Sequence, residues 1–364
     1  MQTCHLPKWY STTKGCCEHP DHDRIRLVQG SARSLPIGDG AADLIITSPP
    51  YWKKREYEDD GGAIPDQIGQ ESTPEEYLSS LLDCTAEMSR VLKPTGSLWV
   101  NLGDSYAGDG VEGVPAKSLL GLPWRYAIGC IDRLGLTLRS EVVWLKPTGL
   151  PSSVTDRVRR NHEQWFHFAK DSPYYADLDG IREPYATTPD EWAGKNRTTV
   201  TEAVVQNSSA HGTLRALVDG EPTPARQNPK GKIPGSVWTI PSEQIRPPEH
   251  LRVQHFAAFP SEWPRRLISA WCPPDGLVVD PFAGTGTTLM VARALDRRAI
   301  GVELSADYLR LAEWRIFESG HVDRREKAVA KREDVERRVT KLRGRIKSLE
   351  AEMLRQGMLV PEWE

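Results

Sequence analysis

Two short runs hold residue types that could do chemistry. They are Thr47-Ser48-Pro49-Pro50-Tyr51 early in the chain and Asp280-Pro281-Phe282-Ala283-Gly284-Thr285-Gly286-Thr287-Thr288 late in it. In the first, a serine hydroxyl and successive carbonyls stand beside two prolines, which fix the backbone and remove competing N–H donors. This makes a rigid, acceptor-rich pocket, to which Tyr51 adds an aromatic face. In the second, Gly284 and Gly286 let the backbone turn tightly and approach a ligand, while Thr287 and Thr288 bring hydroxyls to a helix start. Glu303 lies nineteen residues beyond Gly284, a position that suits an acid accepting both hydroxyls of a ribose. The run lacks the third glycine of the dinucleotide fingerprint and follows Asp-Pro-Phe, which points away from a nicotinamide cofactor. Taken singly, each run also reads as an ordinary turn, since Pro-Pro pairs and glycines mark loops. At the ends of two strands of one parallel sheet, they read as a site.

The elements that must position them follow an α/β alternation. Asp43-Leu44-Ile45-Ile46 and Gly276-Leu277-Val278-Val279 are continuous apolar runs, as in strands buried on both faces. Further strands are expected at Arg26–Gln29, Ser97–Leu102, Thr137–Lys146, Gln164–Lys170 and Ala299–Glu303. Helices are expected from Pro74, a first-turn proline after Thr73, to about Leu92, and over Lys117–Leu134, Pro260–Trp271, Thr287–Leu295 and Asp307–Glu318. The pattern predicts an α/β fold with a mostly parallel twisted sheet and helices on both faces.

The 364 residues carry a net charge of −3, so a uniformly basic nucleic-acid coat is excluded. Local basic clusters remain: Arg157, Arg159 and Arg160; Lys195 and Arg197; Arg226, Lys230 and Lys232. Each is either solvated surface charge or a phosphate contact. No apolar run nears the ~20 residues of a membrane span, and the start does not resemble a signal peptide, so a soluble cytoplasmic protein is expected. The six cysteines form no disulfide-scaffold pattern. Cys4, His5, Cys16, Cys17, His19 and His22 match no standard zinc spacing, so no metal is assigned. The boundaries fall at 1–23 (a Cys/His-rich leader), 24–171 (the catalytic half), 172–246 (an irregular insertion), 247–320 (the cofactor half) and 321–364 (a charged tail). In the tail, Val335, Val339, Leu342, Ile346, Leu349 and Met353 make a heptad seam on a long helix, which either docks on its own domain or pairs with a second copy.

The two runs, in this order and with the insertion between them, resemble the circularly permuted β group of DNA amino-methyltransferases. Asp104, Trp144-Leu145-Lys146-Pro147, Val237-Trp238-Thr239-Ile240-Pro241 and His255-Phe256-Ala257-Ala258-Phe259-Pro260 extend the resemblance across residues 24 to 318. The resemblance implies a Rossmann-like fold and S-adenosyl-L-methionine as cofactor. Asp280 and the glycine turn (Gly284, Gly286, Thr287, Thr288) would lie beside its methionine portion, Phe259 and Phe282 would line its pocket, and Glu303 would hold its ribose. It also implies transfer of a methyl group to an exocyclic amine of a base flipped out of double-stranded DNA. Such an amine is a poor nucleophile because its lone pair is delocalised into the ring. Acceptors in line with both N–H bonds, here Ser48 Oγ and the Pro49 carbonyl, draw it towards tetrahedral geometry. Pro50 stiffens the turn, and Tyr51 stacks the base. Ser48 favours cytosine N4, since adenine-N6 enzymes of the group more often have Asp there, and adenine is the alternative. Residues 172–246 would read the target. The resemblance implies an enzyme that either has a cognate restriction endonuclease as partner or acts alone, and the heptad seam offers a homodimer through the tail helix. The family usually has Gly-Asp-Ala where this chain has Gly30-Ser31-Ala32. Two rivals stand beside this reading: a methyltransferase for other planar amines, and an idle DNA-binding subunit.

Overall fold

The computed structural model describes residues 24–59, 62–108, 111, 113–147, 154–185, 228–251 and 258–319. The Cys/His leader, Lys195, Arg197, Arg226 and the heptad tail lie outside them.

Among the described residues ten strands form, in chain order: β1 (Ile25–Gln29), β2 (Ala42–Thr47), β3 (Glu58–Asp59), β4 (Gly62–Ala63), β5 (Leu92–Leu102), β6 (Thr137–Leu145), β7 (His162–Ala169), β8 (Val237–Thr239), β9 (Leu277–Asp280) and β10 (Arg298–Glu303). Eight of them make one sheet in the order β1-β10-β9-β2-β5-β7-β6-β8, and β3 and β4 pair separately. The first five are mutually parallel, β7 runs antiparallel to β5 and β6, and β8 is parallel to β6. Every residue of β2 and β9 is buried, as their continuous apolar sequences require of strands covered on both faces.

Among the described residues five α-helices cover the sheet: α1 (Pro74–Val91), α2 (Leu122–Leu134), α3 (Glu262–Trp271), α4 (Thr287–Ala294) and α5 (Ala306–Glu313). The Thr73 hydroxyl accepts from the Glu76 N–H while the Glu76 carboxylate accepts from the Thr73 N–H, so α1 starts at a capping box with Pro74 in its first turn. Successive strand residues point to opposite faces, and the core divides accordingly. Ile45, Val100 and Val279 pack with Tyr77, Leu81 and Met88 of α1 and Tyr126 of α2. Leu44, Ile46, Trp99 and Val278 pack with Trp263 and Leu267 of α3 and Met290 of α4. Each large side chain so buried stabilises the fold by about 1.5–3 kcal/mol.

Three elements depart from the sequence expectation. β5 begins at Leu92, not Ser97. α2 begins at Leu122, not Lys117, because residues 117–121 hydrogen-bond back to the loop at Ser105 and Ala107, and Gly121 takes a left-handed φ of 68°. α5 stops at Glu313, short of the expected Glu318, and widens into a π-turn, Trp314–Glu318, that returns Arg315 towards the glycine run. Within the inserted stretch, β8 extends the main sheet through its pairing with β6.

Candidate active site

β2 and β9 are neighbours whose chains lead off in opposite directions, β2 towards β5 and β9 towards β10 and β1. Loops part at such a switch point, and a cleft opens beyond the carboxyl ends of the strands. Both motifs start there. The Thr47 hydroxyl donates to Asp280 Oδ1 at 2.8 Å, and Thr288 donates to Oδ2 at 2.6 Å. Asp280 therefore ties the end of β2 to β9 and to the first turn of α4. Burial pushes its carboxyl up to about 7, against the three donors Thr288, Thr47 and the Phe282 N–H.

Above this point a cavity opens to solvent. Ser48 and Pro50 line one side of it, and Phe259, Phe282, Gly284, Thr287 and Glu303 line the other. Pro49, Tyr51, Asp280, Gly286 and Thr288 stand outside the lining. The two glycines do different jobs. At Gly284 (φ 51°) a Cβ would meet nothing closer than the Phe282 carbonyl at 3.8 Å. At Gly286 (φ 74°) it would lie 2.9 Å from the Ala312 Cβ of α5. Gly284 leaves room at the cavity wall, whereas Gly286 lets α4 and α5 pack.

Glu303 accepts from the Gly284 N–H at 2.7 Å and from the Ser305 N–H at 3.0 Å. Burial raises its pKa, and these donors, Ser305 first, pull it back. A half-buried carboxylate held by two backbone N–H groups beside an open glycine turn suits the diol of a nucleoside. Ser31 and Ala32 line the cavity beyond it, together with Tyr57, Asp66, Gln67, Ile68 and Tyr308. Sequence reasoning missed this last group: Asp66, Gln67 and Ile68 lie in a loop after β4 with no periodicity to read, and Tyr57 and Tyr308 stand outside both motifs. Arg315 was missed too. Its guanidinium donates to the hydroxyls of Thr285 and Thr287 at 2.8 and 2.6 Å, bracing the glycine run from behind.

On the Ser48 side, the Tyr77 hydroxyl donates to the Pro50 carbonyl at 2.8 Å, fixing the turn. Among the described residues no donor engages the Pro49 carbonyl. Tyr51 packs against Gly103, where a Cβ would lie 2.6 Å from its ring. Its hydroxyl lies 2.9 Å from both Asn101 Oδ1 and Glu163 Oε2. A signal for Asn101 was present: an amide inside the apolar run Leu98-Trp99-Val100-Asn101-Leu102 needs a buried partner.

Near this end, Arg157 lies 3.7 Å over the Tyr106 ring, and Arg159 is exposed. Arg160 is pinned to the buried Asp104 at 3.0 Å, so it anchors the segment. Lys230 pairs with Asp179 at 2.9 Å while staying largely exposed, and Lys232 is exposed. Burial pushes the thiols of Cys84, Cys130 and Cys272 up to about 12, so none of the three is a thiolate nucleophile near neutral pH. Among the described residues no cluster of His, Cys, Asp or Glu could hold a metal ion, and no helix is long and apolar enough to cross a membrane.

Comparison with known proteins gives the family and the fold. The type II methyltransferase M.SmaI of Serratia marcescens is 33% identical over 331 residues, covering 85% of this chain and 96% of the relative. The solved PvuII DNA methyltransferase (cytosine-N4-specific) superposes with a TM-score of 0.55 at 22% identity, covering 85% of this chain and 92% of that one. A DNA modification methylase of Thermus thermophilus, solved with S-adenosyl-L-methionine, superposes with a TM-score of 0.50 at 24% identity, covering 80% and 93%. At these identities the two structures speak for the fold, which is the Rossmann-like α/β fold expected. A family model described as DNA methylase matches residues 42–314, from β2 through α5, and the chain belongs to that family.

Proposed function

We propose that the protein methylates the exocyclic N4 of a cytosine flipped out of duplex DNA, with S-adenosyl-L-methionine as donor. The observation that carries this reading is that Ser48, Gly284 and Glu303 line one cavity. When bound, the cofactor supplies a methyl group activated by a sulfonium. Glu303 would hold its ribose, and Phe282, Ile68 and Ala32 would enclose its base. Thr287, with Arg315 behind it, bounds the cavity at the start of α4.

Ser48 Oγ, on the cavity wall, and the adjacent Pro49 carbonyl, just outside the lining, accept from the two N–H bonds of the amine. They stabilise the positive charge that builds on nitrogen as the methyl arrives. The Tyr77 bond to Pro50 keeps these acceptors from drifting. Tyr51, held at its hydroxyl, presents its ring to the extruded base. Ser48, rather than an acid, is what favours cytosine over adenine. Arg157 and Arg159 contact phosphates, residues 172–246 read the target, and the heptad tail pairs two copies. The protein works in the cytoplasm as the modification partner of an endonuclease with the same site, a role in keeping with its similarity to the type II methyltransferase M.SmaI.

Expression in a methylation-free bacterium, followed by sequencing of its DNA with a method sensitive to modified bases, tests all of this together. N4-methylcytosine at one recurring site is the expected result. N6-methyladenine overturns the base assignment, and unmodified DNA overturns the function.

A further inference from the structure

Behind Ser48 runs a polar chain that the acceptor chemistry above does not use. The Tyr51 hydroxyl lies 2.9 Å from Glu163 Oε2 and 2.9 Å from Asn101 Oδ1. The Asn101 amide nitrogen donates to the Gln164 carbonyl at 3.0 Å, which turns Oδ1 towards Tyr51 and Ser48. Asn101 thus offers only an acceptor here and, being an amide, takes up no proton. The carboxylate that Tyr51 reaches is Glu163, ion-paired with Lys146 at the end of β6. Ser48 Oγ lies 3.3 Å from Asn101 Oδ1 and 3.5 Å from the Tyr51 oxygen. Both contacts are long for O–H···O, and the path requires them to shorten as the amine is engaged.

We propose that Ser48, Tyr51 and Glu163 form a proton path, in which Glu163 takes up the proton that the methylated amine must lose. The proposal rests on Ser48 as the acceptor for that amine. Methyl transfer forms an N–C bond with the nitrogen lone pair and breaks an S–C bond, whose electron pair stays on sulfur. The nitrogen is then one proton over-supplied. That proton passes to Ser48 Oγ, the serine proton to the Tyr51 oxygen, and the tyrosine proton to Glu163 Oε2, so both hydroxyls end as they began. Burial, and then the Glu163 carboxylate, raise the Tyr51 pKa well above its usual range, so the phenol relays a proton and does not ionise. The Glu163 side chain is 18% exposed, which gives the proton an exit to solvent. Before transfer, the negative end of the chain polarises it and makes Ser48 a better acceptor as positive charge builds. Glu163 is a positioning residue, acting through Tyr51.

The test uses single-turnover transfer of labelled methyl from S-adenosyl-L-methionine to plasmid DNA from a methylation-free host, with cofactor affinity measured by calorimetry. Glu163→Gln keeps an acceptor for Tyr51 but has no site for the proton. It should bind cofactor within about twofold of wild type and transfer methyl at least tenfold more slowly. Tyr51→Phe should do the same, and the double variant should be no slower than the slower single, because a path is cut only once. Wild-type transfer by Glu163→Gln, losses that multiply in the double variant, or cofactor affinity falling along with the rate would each overturn the path. If Glu163→Gln does not fold, Tyr51→Phe decides: it must slow transfer and reduce the solvent deuterium isotope effect, and an unchanged isotope effect overturns the proposal. A Ser48→Ala variant that transfers normally sinks the acceptor reading itself. An inactive Ser48→Ala beside a fully active Glu163→Gln sinks only the path.

Discussion

Replacing Asp280 with asparagine should remove a pH dependence of stability that this one buried carboxyl imposes. Burial raises its pKa to about 7, whereas an exposed aspartate titrates near 4. The folded state therefore binds the proton more tightly than the unfolded chain. The group's contribution to stability is greatest below pH 4, falls as pH rises from about 4 to 7, and is flat above that. Each tenfold difference in proton affinity is worth about 1.4 kcal/mol, so ionisation in both states costs the fold about 4 kcal/mol relative to acid. Between pH 5 and pH 9 the share lost is about 3 kcal/mol. Asparagine keeps an oxygen for Thr47 and the Phe282 N–H, and its amide can donate to Thr288, whose hydroxyl turns to accept. Urea unfolding of both proteins at the two pH values reads the effect as a difference of differences, which cancels every other titrating group. Wild type should lose about 3 kcal/mol more than Asp280→Asn over that range. Equal losses would show that Asp280 is not the raised carboxyl, and the account of the motif junction would fail with it.

Four further outcomes follow from the same geometry. Ser48→Ala should leave cofactor affinity by calorimetry within about twofold and slow methyl transfer about a hundred- to a thousandfold, the usual worth of one acceptor aimed at developing charge. Gly284→Ala should cost only about 1–2 kcal/mol of stability, from its left-handed backbone, while its methyl enters the cavity and weakens cofactor binding. Gly286→Val should instead lower the thermal midpoint markedly, by about 3 kcal/mol or more, because its side chain meets Ala312 and α5 must move. Arg157→Ala and Arg159→Ala should each reduce the slope of log affinity for DNA against log salt by about 0.9, with cofactor binding unchanged.

The parts of this site that were legible in the sequence are those whose chemistry is local. The apolar runs before Ser48 and Asp280 had to be buried strands, and both became strands without an exposed residue. Thr73-Pro74 marked the start of a helix, and the helix starts there. What stayed hidden depends on pairing at a distance. Asn101 and Glu163 meet Tyr51 only because β7 runs antiparallel to β5 and sets Asn101 opposite Trp165. Nothing at Glu163 itself announces that register. Arg315 likewise reads as one more charge on a terminal helix until the π-turn swings it under Thr285 and Thr287. Gly286 sits inside a legible motif, yet its crowded neighbour Ala312 belongs to a helix 26 residues onward.

A buried carboxyl that destabilises the fold at neutral pH and above calls for a reason, and the topology supplies one. Thr47 and Asp280 are 233 residues apart in the chain, and their hydrogen bond lies where the two halves of the sheet diverge. One carboxyl oxygen takes a donor from the strand that leads into Ser48, and the other takes a donor from the helix that follows the glycine turn. A leucine of similar volume would satisfy burial, but it would strand two hydroxyls and leave the acceptor wall free to shift against the cofactor wall. Transfer between a bound donor and a flipped base depends on that spacing, and a misplacement near 1 Å can cost about a hundredfold in rate. The acid at this junction therefore trades stability for the distance between two walls that the chain order alone does nothing to fix.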